Sequence, residues 1–311
     1  MAIVETRDLT KVFNGRKAVD RLNLTIEEGE IFGLLGPNGA GKTTTIAMLS
    51  TILPPTGGTA IISGYDIERK PKEVRRAIGV VPQEVALYDN LSAAENLTYF
   101  GKLHGVDGKR LQKRIDKLLK LVQLNDRAND RVKSFSSGMK DRLNLAVGLI
   151  HEPRLLFLDE PTTGLDPQAR LAVWEVIKQL QADGVSILLT THYMEEADHL
   201  CDRVAIMDNG KIIACDPPAV LKQSIGKLEV IEVKATGIPK ALLAKLRKLR
   251  GVKEVAQTSK GLRLITLTAD AIIGQVVSSI TSKKVRIDSL NVVQPTLEDV
   301  FIKLTGKTLR D

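Results

Sequence analysis

The residues with the most definite chemistry are Gly36-Pro37-Asn38-Gly39-Ala40-Gly41-Lys42-Thr43-Thr44. They match the Gly-x4-Gly-Lys-Ser/Thr phosphate-binding loop at every specified position. The apolar run Glu30 to Gly36 before them reads as a short buried strand, and the chain from Thr43 onward reads as a helix. Gly36, Gly39 and Gly41 are expected to take positive φ and to curl backbone N–H groups around phosphate oxygens. The helix start adds free N–H groups and the positive end of a dipole. Lys42 supplies a compact cation for β- and γ-phosphates, and the Thr43 hydroxyl a ligand for magnesium. A glycine-rich turn with a chance lysine is the alternative, and the strand and helix on either side speak against it.

Other side chains suit the same chemistry. Asp159 and Glu160 are adjacent carboxylates at the end of a short apolar strand, where charge is costly to bury without a cation or hydrogen-bond donors. Val185 to His192 repeats that design and ends in histidine, although a strand-end histidine taken alone is more often structural. Ile78 to Gln83 reads as a third buried strand, ending in a polar amide. Ser136, Ser137 and Gly138 follow Phe135 and open a helix with serine at the N-cap, which alone is merely a capped helix. Phe13, in the first connection, offers an aromatic face either to an adenine ring or to local packing.

These residues need a frame of strands. Ile3 to Val12 and Ala18 to Ile26 read as strands around the turn Asn14-Gly15, and Thr59 to Ser63 as another. Residues 84–150 form an insertion, helical from Ser92 to about Gln123, with Leu111, Ile115, Leu118 and Leu119 on one face and a solvated basic face opposite. Val204 to Asp208 and Lys211 to Cys215 flank Asn209-Gly210, a two-residue hairpin signal. Asp216-Pro217-Pro218 suggests a boundary, so domains at 1–221 and 222–311 are expected. The second reads as a β-α-β-β-α-β order, the split βαβ arrangement, with a helix over Pro239 to Arg250 and a turn at Thr258 to Gly261.

Composition bounds the class. The chain has 311 residues, 43% hydrophobic and 26% charged, the ordinary balance of a globular protein. No apolar run approaches the roughly 18 residues needed to span a bilayer, and Met1 to Asp20 has no signal-peptide core, so a cytoplasmic protein is expected. Cys201 and Cys215 lack the spacing of a zinc site or a disulfide framework. The net charge of +8 resides in residues 222–311, which hold 17 Lys+Arg against 8 Asp+Glu.

Taken in order, the phosphate loop, Gln83, the serine-capped helix, Asp159-Glu160, Gly164-Leu165-Asp166 and His192 resemble the ATP-binding subunit of ABC transporters over residues 2–220. The resemblance implies an α/β P-loop NTPase fold with a helical insertion, followed here by a small ferredoxin-like α+β domain. It implies ATP and Mg2+ as ligands, with Asp159, Thr43 and Gln83 at the metal, Glu160 as the general base for the attacking water, and His192 at the γ-phosphate. It also favours Phe13 as the adenine-stacking residue. Ser136, Ser137 and Gly138 would serve ATP bound to the opposite subunit, and Asp166 would join the two subunits, so a homodimer is expected. The family pattern Leu-Ser-Gly-Gly-Gln is altered here, with Phe135, Ser137 and Met139 replacing leucine, the first glycine and glutamine.

The ending Pro295-Thr-Leu-Glu-Asp-Val-Phe301 resembles the daunorubicin-resistance type of exporter ATPase, which implies a separate transmembrane permease and peripheral association with the inner face of the cell membrane. The competing reading is a soluble ABC ATPase acting on nucleic acid or ribosomes. Such proteins usually carry two nucleotide domains, a coiled-coil insertion or a zinc hook, none of which is legible here, and no nucleic-acid partner is expected. A third reading, an ATP-gated clamp without turnover, would be favoured by loss of Glu160, which is present.

Overall fold

Asn14-Gly15 turns the chain back on itself, so that β1 (Ala2–Phe13) and β2 (Arg16–Leu22) pair antiparallel with Phe13 opposite Arg16. Phe13 therefore ends a strand rather than lying in the connection. The expected strand Ala18 to Ile26 is broken into β2 and β3 (Thr25–Glu27), because Asn23 between them bonds Asp8 through both its amide oxygen and its nitrogen. The first unit continues with β4 (Ile31–Leu35), α1 (Lys42–Leu49), β5 (Gly57–Ile62), β6 (Tyr65–Asp66), α2 (Pro71–Ala77) and β7 (Ile78–Val81). β7 stops before Pro82, which has no N–H to continue a ladder, so Gln83 lies in the loop beyond it. The insertion holds α3 (Ala93–Leu103), α4 (Gly108–Leu121) and α5 (Ser137–Gly148), and Leu111, Ile115, Leu118 and Leu119 of α4 are buried. Then come β8 (Leu155–Asp159), α6 (Pro167–Ala182), β9 (Ser186–Thr191), α7 (Met194–Leu200), and the hairpin of β10 (Arg203–Asp208) and β11 (Lys211–Asp216).

The computed structural model describes residues 1–224, 229–258, 261–283, 285–293 and 295–306. They divide into Met1–Pro218 and Ala219–Asp311, slightly before the expected boundary, and α8 (Pro218–Ser224) lies at the division.

Two sheets build the first unit. One is antiparallel, in the order β2-β1-β5-β6 with β3 beside β1. The other runs β11-β10-β4-β9-β8-β7 and is parallel apart from its edge strand β11. β4, β8 and β9 are buried at every residue, as strands covered on both faces must be. Phe32, Phe157 and Leu188 of the parallel sheet share one core with Ile46, Met48 and Leu49 of α1 and with Val4, Ile26 and Ile62 of the antiparallel sheet. Helix α1 is thus embedded in apolar contacts, and its first residue, Lys42, is carried inside with it.

The second unit contains β12 (Glu229–Ala235), α9 (Lys240–Leu246), β13 (Val252–Thr258), β14 (Gly261–Thr266), α10 (Ala269–Thr281), β15 (Ile287–Val293) and α11 (Leu297–Thr305). Its sheet order, β13-β14-β12-β15 with every pair antiparallel, is that of a ferredoxin-like domain. Part of the expected turn, residues 259 and 260, lies outside the described residues, as do residue 228 and the Lys240 side chain. The helix expected over Pro239 to Arg250 ends at Leu246, and the exposed Arg247 donates to the Val255 carbonyl at 3.2 Å.

Alternation on β14 sends Leu262 and Leu264 into a core with α9 and α10, while Arg263 points to the other face. There its guanidinium donates to Asp299 of α11 at 2.9 Å and lies 3.5 Å from Glu232 and 3.6 Å from Glu298. Asp299 is 1% exposed and also accepts from the Thr296 N–H and hydroxyl, capping α11. Removing one partner of such a buried pair costs about 3–5 kcal/mol. Arg263→Ala is therefore expected to unfold the second unit at lower urea than wild type, read by the midpoint of its transition, with the larger loss falling on α11.

Candidate nucleotide-binding and hydrolysis site

Register brings the chemistry together. Leu35, Thr191, Thr190 and Asp159 sit side by side where β4, β9 and β8 end, so the phosphate loop, the Asp159-Glu160 pair and His192 all emerge at one edge of the parallel sheet. This is where open α/β sheets bind ligands.

The loop is fixed by crowding as much as by turn geometry. Gly41 caps α1 with φ +109°, and a Cβ there would lie 2.4 Å from the Ala18 carbonyl oxygen. Gly39 also has positive φ, but Gly36 does not, contrary to expectation. Gly36 is required for another reason: a Cβ would stand 2.3 Å from the Met207 carbonyl oxygen. The β10–β11 turn completes the support, since the Gly210 N–H donates to the Ala40 carbonyl at 2.9 Å and its own carbonyl accepts from Asp20 N–H at 2.8 Å.

Lys42 is 4% exposed, and its ammonium donates to the Gly36 and Pro37 carbonyls at 2.7 and 3.2 Å while lying 3.3 Å from a Glu160 oxygen. Burial pushes its pKa down, against Glu160 and Asp159, which hold it up. Glu160 has φ +50°. Its N–H donates to the Thr190 carbonyl and hydroxyl, and its other carboxylate oxygen meets the Thr163 hydroxyl at 3.2 Å and His192 Nδ1 at 3.1 Å. Burial works to raise the Glu160 pKa, but Lys42 and His192 together outweigh it and hold the carboxyl below its usual range. Asp159 accepts from the Thr190 hydroxyl and from the Thr43 hydroxyl at 3.3 Å.

A cleft of about 970 Å³ opens over these groups. Of the expected residues, Phe13, Asn38, Gly39, Gly41, Lys42, Thr43, Thr44, Gln83, Glu160 and His192 line it. Gly36 and Ala40 are buried in the loop and Pro37 is half-buried. Sequence reasoning missed Arg16, Lys17 and Ala18 of β2, Thr163, and Asn209-Gly210, all of which also line the cleft. The hairpin was readable, but its return to the phosphate loop is a tertiary contact with no local mark.

Ser136, Ser137, Gly138 and Asp166 do not line this cleft. Ser136 is exposed and caps α5 by accepting from the Met139 N–H at 3.3 Å, and Asp166 is exposed and caps α6 by accepting from Ala169 N–H at 2.9 Å. The two helix starts are neighbours, since a Cβ on Gly138 would lie 3.0 Å from the Ala169 Cβ.

Among the described residues no group of three His, Cys, Asp or Glu side chains could hold a metal by itself. The Thr43 hydroxyl and Asp159 carboxylate nevertheless converge beside the phosphate loop, which fits magnesium, an ion held by one or two protein ligands together with nucleotide phosphates.

A strand, a glycine loop curled around a buried lysine, and a carboxylate pair on a neighbouring strand define a P-loop nucleotide-hydrolysing domain. Residues 19–163 match the ABC transporter family, and residues 217–305 match the family described as ATP-binding protein DrrA1-3-like, C-terminal domain. The linearmycin resistance ATP-binding protein LnrL of Bacillus subtilis is 38% identical over 99% of this chain and 100% of its own. A Nod factor export ATP-binding protein I of Sinorhizobium fredii is 40% identical over 99% of this chain and 87% of its own. A solved dimeric ATP-binding cassette, in a post-hydrolysis state bound to ADP and Pi, superposes with a TM-score of 0.62 at 26% identity over 69% of this chain and 98% of that one. The chain belongs to the ABC transporter family, as an ATP-binding subunit that hydrolyses ATP to power a separate membrane permease.

Because the Met207 carbonyl is backbone, a methyl group on Gly36 can be accommodated only by moving the loop. Overpacking of this kind costs about 1–3 kcal/mol, so Gly36→Ala is expected to weaken binding of a fluorescent ATP analogue by roughly 5- to 150-fold, read by titration.

Proposed function

We propose that this subunit drives export, with two copies closing on two ATP molecules in each cycle. The observation that supports it most is the separation of the two half-sites: Lys42, Glu160 and His192 face one cleft, while exposed Ser136 and Ser137 and half-buried Gly138 stand elsewhere on the same unit. A chain arranged in this way completes its site with the signature residues of a second copy. Export is supported by the names of two relatives, the Nod factor export protein and the linearmycin resistance protein LnrL.

In this reading Phe13, 45% exposed at the cleft rim, stacks on the adenine, and the N–H groups from Asn38 to Thr44 hold the phosphates. Magnesium, held by Thr43 and Asp159 with Gln83 near it, would neutralise charge on the β- and γ-phosphate oxygens. Phosphate entry draws Lys42 from Glu160, freeing that carboxylate to orient and deprotonate the attacking water. His192, whose Nδ1 meets Glu160, holds that carboxylate and addresses the γ-phosphate with its other ring nitrogen. Asp166, at the start of α6, joins the two subunits.

Two further proposed contacts would hold the subunit at the inner face of the membrane. The permease docks beside Gln83, on Leu87 and Tyr88. There the Tyr88 backbone is clamped by the Asn96 amide at 2.9 and 3.1 Å, and its ring stands edge-on to Tyr99 at 4.9 Å yet remains 48% exposed. The second unit is an accessory module whose excess cations, among them exposed Lys245, Lys248 and Arg250, face anionic headgroups.

Glu160→Gln keeps size and hydrogen bonding but removes the base, so turnover should fall by roughly 10²–10⁴-fold while ATP binding persists. In sedimentation, ATP should convert this variant to a dimer. Near-normal turnover would remove Glu160 from its role, and a monomer at high concentration with bound ATP would sink the shared site. For the docking face, Tyr88→Glu should abolish transport by the reconstituted pair and leave the isolated subunit's ATPase intact. Loss of folding in that variant would instead make Tyr88 a packing residue.

A further inference from the structure

Glu196, on α7, is completely buried and has no part in the chemistry above. One carboxylate oxygen, Oε1, accepts from the Thr162 hydroxyl at 2.7 Å and from the Trp174 indole N–H at 3.0 Å. The other, Oε2, is buried with no hydrogen-bond partner. Burial pushes the Glu196 pKa up, against the Thr162, Thr191 and Trp174 side chains, which favour the charged form. A carboxyl with one oxygen unpartnered is costly to bury, and an apolar side chain of similar size would fill the space more cheaply.

What the acid does is visible in where its partners come from. Thr162 lies in the loop that runs from Glu160 to Asp166. Its neighbour Thr163 bonds Glu160 through both N–H and hydroxyl, and the Thr162 carbonyl accepts from Leu165 N–H just before Asp166. Thr191 ends β9 immediately before His192, and its hydroxyl accepts from the Tyr193 N–H. Trp174 belongs to α6, which Asp166 caps. Arg170 of the same helix holds its guanidinium 5.1 Å over the Tyr193 ring. Glu196 therefore stands where the Glu160–Asp166 loop, the His192 strand end and α6 meet.

We infer that Glu196 is a positioning residue for ATP hydrolysis, tying the loop that carries Glu160 and Asp166 to α7, the helix that starts two residues after His192, and so holding Glu160 and His192 in reach of each other. The inference rests on the roles proposed for those two residues. A single acceptor on α7 shared by donors from the loop and from α6 fixes these three elements against one another, and α7 follows directly on His192 and Tyr193. When it is lost the loop is free to drift, and a 1 Å misplacement at a reacting centre can cost about 10²-fold in rate.

The test uses the purified full-length chain with MgATP, comparing kcat, KM, nucleotide affinity and Tm. Thr162→Val removes one donor at constant shape and touches neither Glu160 nor His192. Thr162→Val and Glu196→Ala should each lower kcat by roughly 10- to 100-fold with KM and nucleotide affinity little changed. Glu196→Gln, which keeps an acceptor at Oε1, should retain most of the rate. In a His192→Ala background Thr162→Val should add little further loss, because residues acting as one unit are not additive. If Glu196→Ala does not fold, Thr162→Val and Trp174→Phe carry the same comparison. A fall in Tm with kcat intact would overturn the inference, as would a glutamine variant as slow as alanine, or losses that multiply with His192→Ala. Glu160→Gln separates this from failure of the underlying reading: if that variant is inactive while Thr162→Val is not, only the positioning role is lost.

Discussion

The first unit depends on a charge placed where charge is expensive. The Lys42 ammonium and the Glu160 carboxylate are both nearly excluded from water, and each would be untenable alone. Their neighbours share the cost: the Gly36 and Pro37 carbonyls on the cation, and Thr163 and His192 on the anion. Every one of these partners arrives at the end of a parallel strand or on the loop beyond it. The pair therefore makes sense only if β4, β8 and β9 lie adjacent and in register, and their complete burial enforces that. A slip of one residue along β8 would put Asp159 in the place of Glu160 and Leu158 in that of Asp159, leaving Lys42 facing the wrong carboxylate.

The antiparallel sheet and the β10–β11 hairpin serve the same loop from its other side. Ala18 of β2 and Met207 of β10 present backbone carbonyls so close to the loop glycines that no side chain fits, and Gly210 bonds both Ala40 and Asp20. The loop is thus walled by main chain on two sides. Backbone walls cannot rotate out of the way as side chains do, and this rigidity keeps a ring of N–H donors preorganised for phosphate rather than collapsed onto itself.

Much of this was legible because the local signals agreed with the global fold. The apolar strands before Lys42, Asp159 and His192 are short, continuous and bounded by turn residues, and the split βαβ order of the second unit followed from periodicity alone. What was not legible is tertiary. Gly36 reads as a turn glycine, but it is excluded from larger residues by Met207, a residue from the far end of the unit. Asn23 breaks a strand through a bond to Asp8, and α9 stops at Leu246 with the Arg247 side chain bonded to Val255. Glu196 could not have been singled out at all: in sequence it is one of two adjacent glutamates on a short helix, and only burial shows which of them matters.

The altered signature follows from its geometry. Ser137 stands where the family has glycine, which would be a defect if that position needed a left-handed backbone. It does not: Ser137 is the first residue of α5, and its φ is not positive. Ser136 accepts from the Met139 N–H, and an accepting hydroxyl keeps its own proton to donate. The N–H groups at the start of a helix have no partners within it, and a side chain at Ser137 leaves them in place. Gly138 is different, because a Cβ there would press on Ala169 beside the Asp166 cap, so the residue retained as glycine is the one whose space is shared with the start of α6. A helix start that offers a hydroxyl and free N–H groups to solvent is half of an anion site.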